Sequence, residues 1–164
     1  MDSYKLLRPL LFKLDAETAH HKVLAGFKWA SKSKFSLNQI HRIYGSKVPK
    51  ITVNLMGLQF KNPVGLAAGL DKDAIAGPAL AALGFGFIEL GTVTPQPQVG
   101  NPKPRMFRLQ SDQAIINRMG FNSGGLSQFV GNFRRFNTDC ISGINLGKNA
   151  NTPNEDAISD YKAG

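Results

Sequence analysis

Lys72, Thr92 and Asn145 are the residues whose types and spacing could do chemistry together. Each belongs to the carboxyl end of a short apolar run. Lys72 follows Val64–Leu66, Thr92 follows Phe87–Leu90, and Asn145 closes the run that begins at Ile141. Such runs read as buried strands, and ligands of parallel sheets gather at that end. The first of these ends is the most informative: Asn62-Pro63-Val64-Gly65-Leu66-Ala67-Ala68-Gly69-Leu70-Asp71-Lys72-Asp73. The small residues Ala67-Ala68-Gly69 let a flat ligand lie against backbone. Lys72, just beyond, is placed to reach into that ligand site. An ordinary βα turn with a solvated lysine would explain this stretch alone. Three such residues on successive strands point to a site.

The elements that must position them alternate. Ala74–Leu83 is alanine-rich and helical, Gly84-Phe85-Gly86 ends that helix, and Gly91-Thr92-Val93-Thr94-Pro95 reads as a strand-end loop. Residues 95–105 are expected to be an extended loop, with a small hairpin from Met106–Leu109 and Ala114–Ile116. Leu126–Phe136 is a further helix. Another starts near 153, with Thr152 as N-cap and Pro153 at its first position. Strand, helix, strand, helix, strand predicts an α/β fold with a parallel sheet and right-handed crossovers. Ahead of it, Ile51–Leu55 and Leu58–Phe60 flank Met56-Gly57 as a tight hairpin.

The chain of 164 residues carries a net charge of +9. Residues 1–50 hold ten Lys/Arg against three Asp/Glu, and the remainder ten against eight, so the basic excess belongs to the N-terminal segment. There, Leu6, Leu7, Leu10, Leu11 and Leu14 make an apolar stripe, with Pro9 near the helix start. Asp15 is the expected N-cap of a second helix carrying Ala19, Val23, Phe27 and Ala30 on one side. Two readings stand level on these residues: a segment lying on a membrane surface, or a helical hairpin packed on its own domain. Nucleic acid ranks third, because leucines interleave the basic residues and no recognised binding motif occurs. No run approaches the roughly 18 apolar residues of a spanning helix, and no signal peptide is expected. The polar stretch 35–50 reads as a linker. The single cysteine, Cys140, excludes an internal disulfide and any multi-cysteine metal site. Its position before an apolar run suits a structural thiol.

These stretches together resemble the quinone-dependent, membrane-associated class 2 of dihydroorotate dehydrogenase. The likeness rests on Asn62–Asp73, Gly91–Pro95, Gly100–Arg105, Ile116–Asn122 and Gly143–Asn149, five motifs in order over nearly the whole chain. The resemblance implies the N-terminal portion of a (β/α)8 TIM barrel (51–164), preceded by a small helical segment (1–34) that leads quinone from a bilayer to the flavin. It implies FMN lined by Ala68, Gly69, Leu70, Asp71, Lys72, Thr92 and Asn145. Dihydroorotate or orotate would be held by Lys72 and by Asn117, Arg118, Met119, Gly120 and Phe121, with amide donors and acceptors matching the ring. His20 and Arg108 match the quinone-binding polar residues. The implied location is peripheral, on the cytoplasmic side of a bacterial inner membrane.

The family's general base is a serine in an Asn-x-Ser-Ser-Pro-Asn segment, and none occurs here. Ser123 and Ser127 stand in the wrong context, and Cys140 precedes its strand. No catalytic residue is therefore assigned within the chain, and the serine base is expected beyond Gly164. A complete barrel typically takes about 250 residues, and only three barrel strands are legible. The expectation is a truncated or split form that binds FMN poorly, does not oxidise dihydroorotate alone and tends to aggregate. The alternative is a non-enzymatic membrane-surface module or a remnant fragment.

Overall fold

The computed structural model describes residues 3–136 and 138–164. At its centre lies a parallel three-stranded sheet, in the order β3 (Gly65–Leu66), β4 (Phe87–Val93), β7 (Ile141–Leu146). Gly65 pairs with Phe87, Phe87 with Ile141, and Gly91 with Asn145, so the three strands end on one side. Helix α4 (Gly77–Ala82) links β3 to β4, and α5 (Leu126–Phe133) precedes β7. Each strand–helix–strand step keeps the strands parallel, as the alternation predicts.

The sheet's core side buries Ile88, Leu90 and Val93 of β4 against Phe129 of α5 and Ala74, with Phe85, Phe133, Phe136 and Cys140 around them. Burial raises the pKa of the Cys140 thiol, and its Sγ lies 3.7 Å from the Phe85 carbonyl. It is a packing residue. Asn62, itself buried, fastens the entry to β3: its amide donates to the Gly84 carbonyl at 2.9 Å and its Oδ1 accepts the Val64 N–H at 3.0 Å. Gly65 is required here, since a Cβ would lie 2.1 Å from the Phe87 ring.

Before the sheet come α1 (Ser3–Phe12), α2 (Ala16–Ala30) and α3 (Lys34–Ile43), then the antiparallel hairpin of β1 (Val53–Leu55) and β2 (Leu58–Phe60). Asp15 caps α2 by accepting the Thr18 N–H at 2.9 Å, as expected. Met56 and Gly57 both have positive φ, which a tight two-residue hairpin turn demands. Helix α2 packs on α4 through Leu24 against Ala76 and Leu80. After β4 comes the antiparallel pair β5 (Met106–Leu109) and β6 (Ala114–Asn117). Helix α6 (Ala157–Ala163) follows β7.

Several sequence expectations need correction. Residues 35–43 of the expected linker belong to α3 (Lys34–Ile43): Ser33 caps it by accepting the Ser36 N–H, and its last turn carries His41 and Arg42. Polar composition hid a helix whose ends are well served. Pro9 sits inside α1, in its second half, because the helix already begins at Ser3. Gly91-Thr92-Val93 continues β4 instead of forming a loop, because β7 offers partners as far as Leu146. Val64 is 60% exposed and lies before the two paired residues of β3. Thr152 and Pro153 do not start α6, whose N-cap is Asp156. The Thr152 hydroxyl instead donates to the Asp160 carboxylate at 2.8 Å.

Candidate functional site

The turn leaving β3 runs back along β4: the Gly69 N–H donates to the Gly91 carbonyl at 2.7 Å, and the Gly91 N–H to the Asp71 carbonyl at 3.2 Å. Asp71 explains why the chain can turn so sharply. Its buried carboxylate accepts the N–H groups of Ile75 and Ala76, each at 2.8 Å, holding the approach to α4. Burial raises its pKa although both backbone bonds favour the anion. The Asp71 side chain is therefore structural, and its contribution to the site is backbone. Beyond it the Lys72 Nζ points the other way and donates to Asn122 Oδ1 at 2.8 Å. Burial lowers the pKa of Lys72, with the nearby charge of Arg105 adding to the effect.

On the next two strands, Thr92 Oγ1 donates to Asn145 Oδ1, and Asn145 Nδ2 donates to Glu89 Oε1 at 3.0 Å. Glu89 thus fixes which way the Asn145 amide faces. The amide oxygen and nitrogen are each engaged, so the pair presents one defined pattern to a ligand.

A cavity of about 1120 Å³ joins these groups. Ala68, Gly69, Leu70, Asp71, Lys72, Thr92 and Asn145 line it, and so does the stretch Asn117–Asn122 that follows β6. Its other wall is helical and largely apolar, with Phe12, Ala16, Ala19, Val23, Leu24 and Phe27. His20 stands on that wall, half-buried. Burial first, then the neighbouring charges of His21 and Lys72, lower its pKa and favour the neutral imidazole. Arg108 faces it from β5, donating to the Leu14 carbonyl at 2.7 Å and lying 4.6 Å from the Phe12 ring centre. All the residues that the resemblance assigns to flavin, substrate and quinone meet around this one space.

The space suits a flat conjugated ligand at the strand ends. Ala67, Gly69 and Leu70 are exposed to it, and a Cβ built on Gly69 meets no atom within 4 Å. That backbone shelf has Lys72 at its edge and an oriented Thr92–Asn145 pair beside it. Among the described lining residues there is no serine or cysteine. Gly164 itself takes no part in the site. It does not line the cavity, its N–H donates to the Asp160 carbonyl at 3.3 Å, and a Cβ on it would lie 2.9 Å from the Leu146 side chain. Its place is the helix end packed on β7, so it marks a position in the chain and carries no chemistry. Arg118 lines the cavity, but its guanidinium reaches the Pro104 carbonyl at 3.0 Å.

Sequence reasoning passed over four contributors. Asn122 stands one residue beyond the assigned loop and holds Lys72. Glu89 lies mid-strand, where nothing local marks it as the partner of Asn145. Glu17 and Arg105 form an ion pair at 2.7 Å, with side chains only 4% and 6% exposed, across 88 positions of chain. The hydrogen bond from Arg105 holds the Glu17 carboxyl down at about 2. A charge separated so far from its partner leaves no sequence signal.

The family model for dihydroorotate dehydrogenase matches residues 50–164. The dihydroorotate dehydrogenase (quinone) of Chromobacterium violaceum is 54% identical over 165 residues, covering 98% of this chain and 45% of its own length. That of Burkholderia cenocepacia is 54% identical over 158 residues, covering 96% and 44%. The ligand-free dihydroorotate dehydrogenase of Eimeria tenella superposes with a TM-score of 0.65 at 41% identity, over 80% of this chain and 41% of that one. Its complex with ferulenol gives 0.60 at 42% identity, over 77% and 39%. The chain spans less than half the length of these relatives, so its three parallel strands are an incomplete barrel. This chain belongs to the dihydroorotate dehydrogenase family.

Proposed function

We propose that these residues form the flavin-facing, substrate-holding and quinone-admitting part of a dihydroorotate:quinone oxidoreductase with FMN as cofactor. The observation that carries this reading is the convergence of Lys72, Thr92 and Asn145 on one cavity whose far wall is apolar helix. Bound FMN would supply hydride acceptance from the substrate and electron delivery to quinone. The chain's own residues do the rest. Ala68–Lys72 offer a backbone shelf, and the oriented Asn145 amide and Thr92 hydroxyl fix the ring's edge. The Lys72 ammonium attracts the orotate carboxylate, a charge-assisted contact strengthened by burial. Asn117 and the backbone of Arg118–Phe121 present donors and acceptors to the pyrimidine. On the helical side, His20 and Arg108 offer polar partners to a quinone head group, while Phe12, Val23 and Phe27 exclude water.

The proton leaving C5 of dihydroorotate needs a base, and no serine or cysteine stands among the described lining residues. A serine outside these 164 positions, beyond Gly164, fills that role in this reading. We place the chain peripherally on a bacterial inner membrane, at its cytoplasmic face. No helix among the described residues is long and apolar enough to cross a bilayer. Leu6, Leu7 and Leu10 of α1 are 55–62% exposed and available to lipid.

Two measurements test the proposal. Lys72→Ala in a full-length dihydroorotate dehydrogenase carrying these residues should weaken orotate binding or flavin retention, and unchanged values of both would refute the assignment. The 164-residue chain alone should show no dihydroorotate oxidation with quinone. Stoichiometric FMN with turnover would overturn the claim that the base lies elsewhere.

A further inference from the structure

We propose that the Glu17–Arg105 pair is a positioning strut that sets the substrate loop, Asn117–Asn122, against the helical wall of the cavity. The inference rests on the reading above, in which that loop holds the pyrimidine. Glu17 stands in the first turn of α2, and Arg105 ends the long loop after β4. Arg105 Nε reaches both carboxylate oxygens at 3.2 Å, and Nη2 reaches Oε1 at 2.7 Å. Lys103 Nζ and His21 Nε2 approach the same oxygen at 3.4 and 3.5 Å from the exposed side.

The rest of the guanidinium faces the loop. Arg105 Nη1 donates to the carbonyls of Val99 (2.7 Å) and Asn101 (3.0 Å). That loop in turn grips the substrate loop at three points. The Arg118 N–H donates to the Arg105 carbonyl at 2.8 Å, the Asn101 N–H to the Met119 carbonyl at 3.0 Å, and Asn101 Nδ2 to the Arg118 carbonyl at 2.9 Å. The two backbones touch: a Cβ on Gly100 would lie 2.3 Å from the Met119 carbonyl oxygen, and one on Gly120 would lie 2.8 Å from Asn101. With both glycines at positive φ, neither loop can shift without moving the other. The far end of the substrate loop is held separately, by Lys72 on Asn122. Pairs this buried often give no net stability over apolar replacements. Geometry is the better account of this one, because a fork between helix and loop transmits orientation as a greasy contact would not.

The test uses a full-length dihydroorotate dehydrogenase carrying these residues. Glu17→Gln keeps the side chain's size and removes its charge. Because small misplacements of binding groups are costly in rate, the KM for dihydroorotate should rise about tenfold. kcat and the KM for quinone should change by less than about twofold. Amide exchange at Arg118 and Asn101 should quicken by about tenfold or more relative to the β4 core amides. A role in stability alone would leave the dihydroorotate KM and this local exchange unmoved, and that result overturns the proposal. If Glu17→Gln does not fold, Asn101→Ala decides: it is exposed, leaves the ion pair intact, and should raise the dihydroorotate KM about threefold, by the same sensitivity to position. No change there overturns the strut. Absence of turnover in the unsubstituted protein would instead fail the functional reading, and the exchange at Arg118 would still decide the strut.

Discussion

Leu90 on β4 and Leu10 on α1 are the same residue type with opposite fates, one fully buried and the other 61% exposed. They stand behind the two walls of one cavity. The strand-end wall is backed by Ile88, Leu90, Val93 and Phe129, so Lys72, Thr92 and Asn145 are presented from a packed base. The helical wall has a thinner support: Leu24 seats α2 on α4, while α1 keeps Leu6, Leu7 and Leu10 outward. A polar site needs fixed angles and gets them from a core beneath it. An apolar wall needs only a surface that excludes water, which sets looser demands on the packing beneath it.

Breaking the strand-end wall should cost most. Leu90→Ala removes a fully buried side chain and should destabilise the chain by about 2–5 kcal/mol in chemical denaturation. A loss under about 1 kcal/mol would mean that the wall is not seated on this core.

The Glu17–Arg105 pair between α2 and the loop before β5 contributes to acid stability. Glu17 titrates at about 2 when folded, against an ordinary value of 4.5. A depressed carboxylate stabilises the fold above its unfolded pKa, and that gain is lost as pH falls from 4.5 towards 2. The shift corresponds to about 3 kcal/mol. Glu17→Gln should flatten stability against pH over that window, and an unchanged acid limb would show the pair is not formed.

Lys72→Ala comes next, with orotate affinity falling roughly 10- to 100-fold for the loss of one charged contact. In the unsubstituted protein affinity should also fall as pH rises through the lowered pKa of Lys72, and the alanine variant should lose that alkaline limb. Titration followed by flavin absorbance reads both. The smallest effect belongs to α1. Leu10→Ser should alter stability by less than about 0.5 kcal/mol while reducing sedimentation with anionic liposomes. A large loss of stability there would contradict the exposed helical wall.

Much of this arrangement is written locally in the chain. The hairpin turn at Met56-Gly57 needs two positive φ angles, and Asn62–Asp73 carries the small-residue shelf in one continuous stretch. Ser33 is a fitting cap for α3, and Leu37, Ile40 and Ile43 recur at helical spacing after it, yet the polar and basic composition of the stretch reads as linker. The boundary of β4 is illegible in sequence because Thr92 and Val93 extend the strand only if β7 is alongside. Glu89, Asn122 and the Glu17–Arg105 pair stay hidden for the same reason: each acquires its role from a partner remote in sequence.

What the sequence determined by itself was the list of parts: three apolar strands with small or polar ends, an amphipathic basic beginning, and motifs of one family. Those follow from side-chain period and backbone freedom, which act over a few residues. The tertiary structure alone decided that one cavity joins helix and strand ends, that the Asp71 carboxylate turns to α4 while Lys72 turns to Asn122, and that a single carboxylate ties α2 to the loop before β5. Burial and charge pairing are properties of neighbours in space, and only the folded chain supplies those.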